Sequence, residues 1–271
     1  MKNATIKKSV SIAIAALFSG LTIFAQVNTQ DRDVGLFKSI HQTTSADVYI
    51  TKGSSYSVKV KADADQIDNI ITEVEDEILT IKSKKSFRYI QILEVHITMP
   101  SLDLLKSSGS GDITIRDRME GTNVVFEISG SGDIDAELEA SNLQVSISGS
   151  GDIEFSGVRG NLAIKISGSG DVFGEELKLS SCELMMYGSG DVKLKGKTAK
   201  LSTKQTGSGD FNGYGLTAVD VHARSNGSGD AVFQAVDKIE AVLNGSGDLT
   251  YYGAPGYVNV ESNGSGEVYK K

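Results

Sequence analysis

The four residues Gly109-Ser110-Gly111-Asp112 return at steps of 18 to 21 residues along the rest of the chain. Further copies begin at Gly130, Gly149, Gly168, Gly188, Gly207, Gly227 and Gly245, and a ninth, beginning at Gly264, carries Glu in place of Asp. A near-constant period in this range marks a solenoid, propeller or array whose units bury their apolar faces only against neighbours. Aligned on the first glycine, the units alternate with period two on both sides of the turn, as half-buried strands do. Six residues before the turn stand Val124, Leu143, Leu162, Cys182, Leu201, Val221, Ile239 and Val258. Four before it stand Phe126, Val145, Ile164, Leu184, Thr203, Ala223, Ala241 and Val260. Directly after the acid stand Ile113, Ile134, Ile153, Val172, Val192, Phe211, Ala231, Leu249 and Val268. These columns are the expected core, and variable positions such as Glu127, Lys165, Lys204, Arg224, Asp135, Glu154 and Lys193 the expected outer face.

The pattern predicts an all-β chain, a single β-solenoid with about 19 to 20 residues per repeat and coils ~4.8 Å apart. Each unit supplies one strand on either side of the GSG turn. Variable connections such as Glu120-Gly121-Thr122, Val158-Arg159-Gly160 and Pro255-Gly256 join them at the far edge. One repeat suffices for a two-stranded coil, a coil of two repeats fits as well, and the handedness is not fixed by the pattern. Residues 26–107 are β-rich but irregular and are expected to form divergent first coils that cap one end of a domain running from 26 to 271, with the regular repeats over 108–271. Only Asp63 to Ile71 could hold a turn or two of helix. At the other end Tyr269, Lys270 and Lys271 are the only edge protection, which makes that edge a candidate for self-association and a homo-oligomer.

The turn glycines, Gly109 and Gly111, Gly130 and Gly132, Gly149 and Gly151, Gly168 and Gly170, Gly188 and Gly190, Gly207 and Gly209, Gly227 and Gly229, Gly245 and Gly247, Gly264 and Gly266, are read as structural. They would permit positive φ in a tight turn, with Ser bonding the local backbone and the acid accepting from turn amides. If one unit is one coil, the acids Asp112, Asp133, Asp152, Asp171, Asp191, Asp210, Asp230, Asp248 and Glu267 line one edge. Neighbours ~4.8 Å apart would then repel by roughly 0.9 kcal/mol in water. Calcium between coils, which would turn the repulsion into attraction, is the alternative reading of these nine acids. Calcium-dependent folding of the toxin β-roll type is not expected, because that roll has a nine-residue repeat with paired glycines.

Lys2, Lys7 and Lys8 precede an apolar stretch from Val10 to Phe24, and Ile23-Phe24-Ala25 precedes Gln26, so residues 1–25 read as a secretory signal peptide. The stretch is short for a spanning helix, so no membrane span is expected in the mature chain. Cleavage removes three lysines and no acid, moving the formal charge from −8 to −11, which disfavours nucleic acid as a partner. An exported chain with one cysteine, Cys182, has no intramolecular disulfide and must rely on packing and backbone hydrogen bonds. The expected location is the periplasm, the cell surface or the exterior.

No catalytic residue is assigned. Acids that recur in every repeat follow the pattern of structure, whereas a catalytic carboxylate pair would break it locally. His41 and His96 lie in the divergent part, His222 falls on an outward column, and Cys182 sits in a core column as a small hydrophobe. No phosphate loop or HExxH occurs, and Gly-Ser-Gly leaves no place for a GxSxG elbow. Outward Phe173, Met185, Val232, Val242, Tyr252 and Tyr269 mark a candidate contact patch on the later coils.

Gly35-Leu36-Phe37-Lys38, Ala46-Asp47-Val48-Tyr49-Ile50-Thr51-Lys52-Gly53, Ile78-Leu79-Thr80-Ile81 and Met99-Pro100-Ser101-Leu102-Asp103-Leu104-Leu105, leading into the GSGD repeats, carry a family resemblance. Together they resemble the "putative auto-transporter adhesin" family named for a head GIN domain, over nearly the whole mature chain. The resemblance implies a right-handed, pectin-lyase-like β-helix with GSG at the tight turn, and adhesion as the function. No run of barrel-type strands follows the repeats, so self-translocation is not expected. The leading expectation is a non-catalytic adhesin-like binding or scaffold protein of the bacterial envelope or exterior, not an enzyme, with a surface protein or glycan as partner and no cofactor. The alternatives are a carbohydrate-active enzyme or glycan-binding protein on the same fold, and a self-associating envelope component.

Overall fold

The computed structural model describes residues 26–87 and 90–271, so the expected signal peptide lies outside the described residues. The strands are β1 (Val27–Arg32), β2 (Ser39–Gln42), β3 (Asp47–Lys52), β4 (Ser57–Asp63), β5 (Ile70–Glu75), β6 (Ile78–Ser83), β7 (Leu93–Met99) and β8 (Leu104–Ser107). The repeats follow as β9 (Ile113–Ile128), β10 (Ile134–Ile147), β11 (Ile153–Ile166), β12 (Val172–Met186), β13 (Val192–Gln205), β14 (Phe211–Ser225) and β15 (Ala231–Leu243). β16 (Leu249–Tyr252), β17 (Tyr257–Ser262) and β18 (Val268–Lys270) close the chain. Helical structure among the described residues is one 3₁₀ turn at Ile67–Asn69, inside the segment where the sequence allowed it.

Consecutive repeats pair in parallel and in register. Ile134 stands over Ile153, then Val172, Val192, Phe211, Ala231, Leu249 and Val268. One repeat is therefore one coil, and about nine coils of ~19 residues make the solenoid. Pairing also runs through the far corner. Val158-Arg159-Gly160 lies within β11 and Glu120-Gly121-Thr122 within β9, so from β9 to β15 each coil is one long bent strand where two strands with a connection were expected. Some corner residues keep ladder partners, as Val158 does with Ala140, while others such as Arg159 and Gly160 drop out of the ladder, and the bend is absorbed by these register shifts and by positive φ at Gly157, Glu176 and Gly196. Pro255 lacks an amide donor, and there the chain does break, between β16 and β17.

The three columns read from the sequence are buried through β15, apart from a partly exposed Ala223. Two more columns join them. One runs Ile128, Ile147, Ile166, Met186, Gln205, Ser225 and Leu243, and the other Ala136, Phe155, Leu194, Phe233 and Tyr251. Within the latter, Gly174 makes room for its neighbours: a Cβ there would meet the Phe155 ring at 2.7 Å and Leu194 at 2.9 Å. Large and small residues alternate, as close packing demands.

The N-terminal region departs from simple stacking. β2 and β3 form a coil that pairs on one side with β8 and β9 and on the other with β6 and β7, all in parallel. Antiparallel β5 then lies along β6, and β4 along β7 with β1 outside it, which ends the parallel ladder at this end of the stack. At the opposite end no coil among the described residues lies over β17 and β18, and Val258 and Val268 are 43 % and 37 % exposed although both belong to core columns.

Candidate binding surfaces

The acid edge is the most regular feature. In each coil the backbone N–H of the acid donates to Oδ1 of the acid in the coil before it. Asp133 donates to Asp112 (3.0 Å), Asp152 to Asp133 (2.8 Å), Asp171 to Asp152 (2.7 Å) and Asp191 to Asp171 (2.7 Å). The series continues through Asp210, Asp230 and Asp248 to Glu267 at 2.7 to 2.8 Å. A carboxylate that accepts an amide has part of its charge compensated at the backbone, which offsets the repulsion expected between stacked acids. Among the described residues, no group of three or more His, Cys, Asp or Glu is placed to hold a metal ion.

Sequence reading missed one member of this ladder. The Asp112 amide donates to Asp47 Oδ1 (3.2 Å), and the Ser110 amide to the Thr44 carbonyl (3.0 Å). Thr44-Ser45-Ala46-Asp47 is thus a divergent copy of the turn, sharing Ser and Asp two apart with the GSGD turns but lying 65 residues before Asp112, outside the regular step. Gln42 supports it from inside the coil, its Nε2 donating to the carbonyls of Thr44 (2.6 Å) and Ala46 (3.0 Å).

The reason for glycine in the turns also needs correction. None of the eighteen turn glycines lies in the positive-φ region, which among the described glycines holds Gly157, Gly196 and Gly253. What excludes a side chain is the coil below. A Cβ at Gly130 would sit 1.9 Å from the Gly109 carbonyl oxygen, and one at Gly132 would sit 2.1 Å from that of Gly111. The same approach recurs up the stack, with each Ser amide donating to the first-glycine carbonyl of the preceding coil, as Ser150 does to Gly130 at 3.0 Å. Glycine is present for close approach between coils.

The histidines do not converge. His41 Nε2 lies 3.1 Å from Ser108 Oγ, and burial, aided by the charge of Lys106, lowers its pKa. His96 pairs with Glu94 (2.8 Å) and His222 with Glu240 (2.9 Å) on separate parts of the surface. Cys182 is buried in its core column, and burial pushes its thiol up to about 12.

The outward columns form straight files on the flanks. On the face following the turn, Phe173, Lys193, Asn212, Val232, Thr250 and Tyr269 stand in register. Lys195 Nζ lies 4.6 Å from the Phe173 ring centre and 3.3 Å from Glu175. Further along, the Tyr214 and Tyr252 rings meet edge to face with centres 4.7 Å apart, and Tyr214 is 58 % exposed. The apolar residues placed outside by the sequence pattern are thus partly or fully exposed, and several gather on this one face.

A parallel stack of bent strands, locked along one edge and presenting long files of side chains on its flanks, is a repeat-built β-solenoid. The chain belongs to the family described as "putative auto-transporter adhesin, head GIN domain", whose sequence profile matches residues 36–193 and 159–255. Among solved structures it is similar to a "putative adhesin" from Bacteroides fragilis NCTC 9343, at 22 % identity and TM-score 0.57, covering 93 % of this chain and 100 % of that one. It is also similar to a "putative adhesin" from Parabacteroides distasonis ATCC 8503, at 19 % identity and TM-score 0.70, covering 91 % and 98 %. A "putative lipid binding protein" from the same strain aligns at 20 % identity and TM-score 0.65, covering 90 % and 96 %. At these identities the likeness shows the fold alone. No curated protein matches the chain. No helix among the described residues is long and apolar enough to cross a membrane.

Proposed function

We propose that this chain is a non-catalytic, adhesin-like binding protein of the bacterial envelope or exterior that engages its partner through the flank following the GSG turns. The observation that carries the reading is the pair of exposed Tyr214 and half-buried Tyr252 beside the file of Phe173, Lys193, Asn212, Val232, Thr250 and Tyr269. Tyrosine gives large contact area at low entropic cost, and interleaved amide, hydroxyl and ammonium groups supply directional contacts. Family membership supports adhesion as the purpose of such a surface. The same aromatic pair favours glycan as the partner class, since sugar rings stack on exposed aromatic faces and their hydroxyls pair with amides such as that of Asn212.

In this reading the acid edge serves the scaffold, each aspartate from Asp112 to Asp248 being engaged by the amide of the next coil. A calorimetric titration of the purified protein with calcium is expected to be flat. Heat with a saturable endpoint would return the nine acids to the list of binding groups.

The test of the main reading is binding of labelled protein to a glycan array and to bacterial and host cell surfaces. Tyr214→Ala with Tyr252→Ala should abolish capture while lowering stability by no more than about 1.5 kcal/mol, so that the variant stays folded at the assay temperature. Undiminished capture by the double variant would move the binding face elsewhere, and turnover of any captured glycan would overturn the non-catalytic reading.

A further inference from the structure

A second surface, at the corner opposite the acid edge, has a different chemistry. Between β12, β13 and β14 lies a groove of about 690 Å³ lined by Leu177, Leu179, Ala199, Val219 and the stems of Lys178 and Lys197. Gly196 forms its floor by close approach to the coil before it: its φ is +142°, and a Cβ there would strike the Leu177 carbonyl oxygen at 2.2 Å. The Thr198 hydroxyl is spent on the Lys200 carbonyl (2.8 Å). The apolar lining continues up the corner, with Val219 at 42 % and Val236 at 51 % exposure one coil further on.

The charge at the mouth of the groove is unbalanced. Lys178 and Lys197 are register partners in adjacent coils, so two ammonium groups are stacked where like charges are disfavoured. Neither forms an ion pair among the described residues. Glu176, the only acid in the lining, is already engaged by Arg118 at 3.1 Å. β13 as a whole carries Lys193, Lys195, Lys197, Lys200 and Lys204 and no acid, in a chain whose formal charge is −8. An apolar track with two uncompensated cations at one end is complementary to a molecule that is apolar along its length and anionic at its head.

We propose that this corner binds a single anionic amphiphile, its acyl chain lying along Ala199, Val219 and Val236 and its phosphate or carboxylate head held by Lys178 and Lys197. From Ala199 on β13 to Val236 on β15 the stack rises by about 10 Å, roughly the extended length of an eight-carbon chain, so the last carbons of a dodecyl chain run past Val236. The site is separate from the tyrosine flank, so it stands or falls independently of the proposed adhesion.

Calorimetric titration with dodecyl phosphate below its micelle concentration tests it, with inorganic phosphate as the head alone and dodecyl maltoside as an uncharged-head control. Saturable one-to-one binding is expected, at least about tenfold tighter than for either control. Lys178→Gln with Lys197→Gln, and separately Val219→Asp, should each weaken it about tenfold or more. All three side chains are exposed, so the melting temperature should not move. Tyr214→Ala with Tyr252→Ala should leave this binding intact. Absence of binding to the unmodified chain, equal affinity for dodecyl maltoside, or undiminished affinity in the lysine variant would overturn the proposal.

Discussion

The Asp171 backbone N–H donates to Oδ1 of Asp152 at 2.7 Å, so a side chain of one coil holds the main chain of the next. Because the acceptor is a carboxylate on the surface, the bond is charge-assisted but shared with water. Asp152→Ala is expected to cost about 1 kcal/mol, and Asp152→Asn, which keeps a side-chain acceptor, less than half of that. Urea unfolding of the two variants beside the parent chain gives the comparison, and equal midpoints for all three would show the ladder to be ornamental.

Gly151 and Gly35 separate steric need from conformational need. A Cβ at Gly151 would stand 2.2 Å from the Gly132 carbonyl oxygen, whereas one at Gly35 meets nothing within 4 Å. Gly151→Ala must push two coils apart and should destabilise by about 2 to 4 kcal/mol, while Gly35→Ala should change stability by no more than about 0.5 kcal/mol. Thermal melts of the pair decide it.

Thr203 and Ser225 sit inside the later coils at 3 % and 7 % exposure, and neither side-chain oxygen has a hydrogen-bond partner. A buried hydroxyl without a partner keeps its desolvation cost, so the near-isosteric Thr203→Val should raise stability by about 1 kcal/mol. A lower melting temperature in Thr203→Val would instead point to an internal water bridging the two hydroxyls.

Burial moves the Cys182 thiol from 9.0 to about 12, which has consequences for reactivity and for pH dependence. The folded chain should resist thiol reagents at pH 8 and react stoichiometrically once unfolded. Because the folded pKa is raised, the contribution to stability is complete below the unfolded pKa. It falls as pH rises from about 9 toward about 12, where the unfolded thiol ionises and the folded one does not. Cys182→Ala should remove that part of the alkaline loss, which denaturant midpoints measured across this range would reveal.

Much of the scaffold was legible from residues alone. Columns such as Val124, Leu143, Leu162 and Ile134, Ile153, Val172 determine which side of each strand is buried, because a two-residue period leaves only one face apolar. The spacing of the turns determines the coil length, and family membership follows from the same segments. What the sequence could not decide is anything set by the neighbouring coil. That one repeat makes one coil, that Asp152 is bonded to Asp171, and that Gly151 is glycine because of the Gly132 carbonyl are all contacts between residues about 19 apart. Local pattern is silent on them. The Asp47 turn was hidden because its glycines are replaced, and the order of the N-terminal coils because β6 and β7 follow β2 and β3 in the chain yet stack on their outer side. Likewise Lys178 and Lys197 are unremarkable surface lysines in the sequence, and only parallel register sets them side by side at the mouth of an apolar groove.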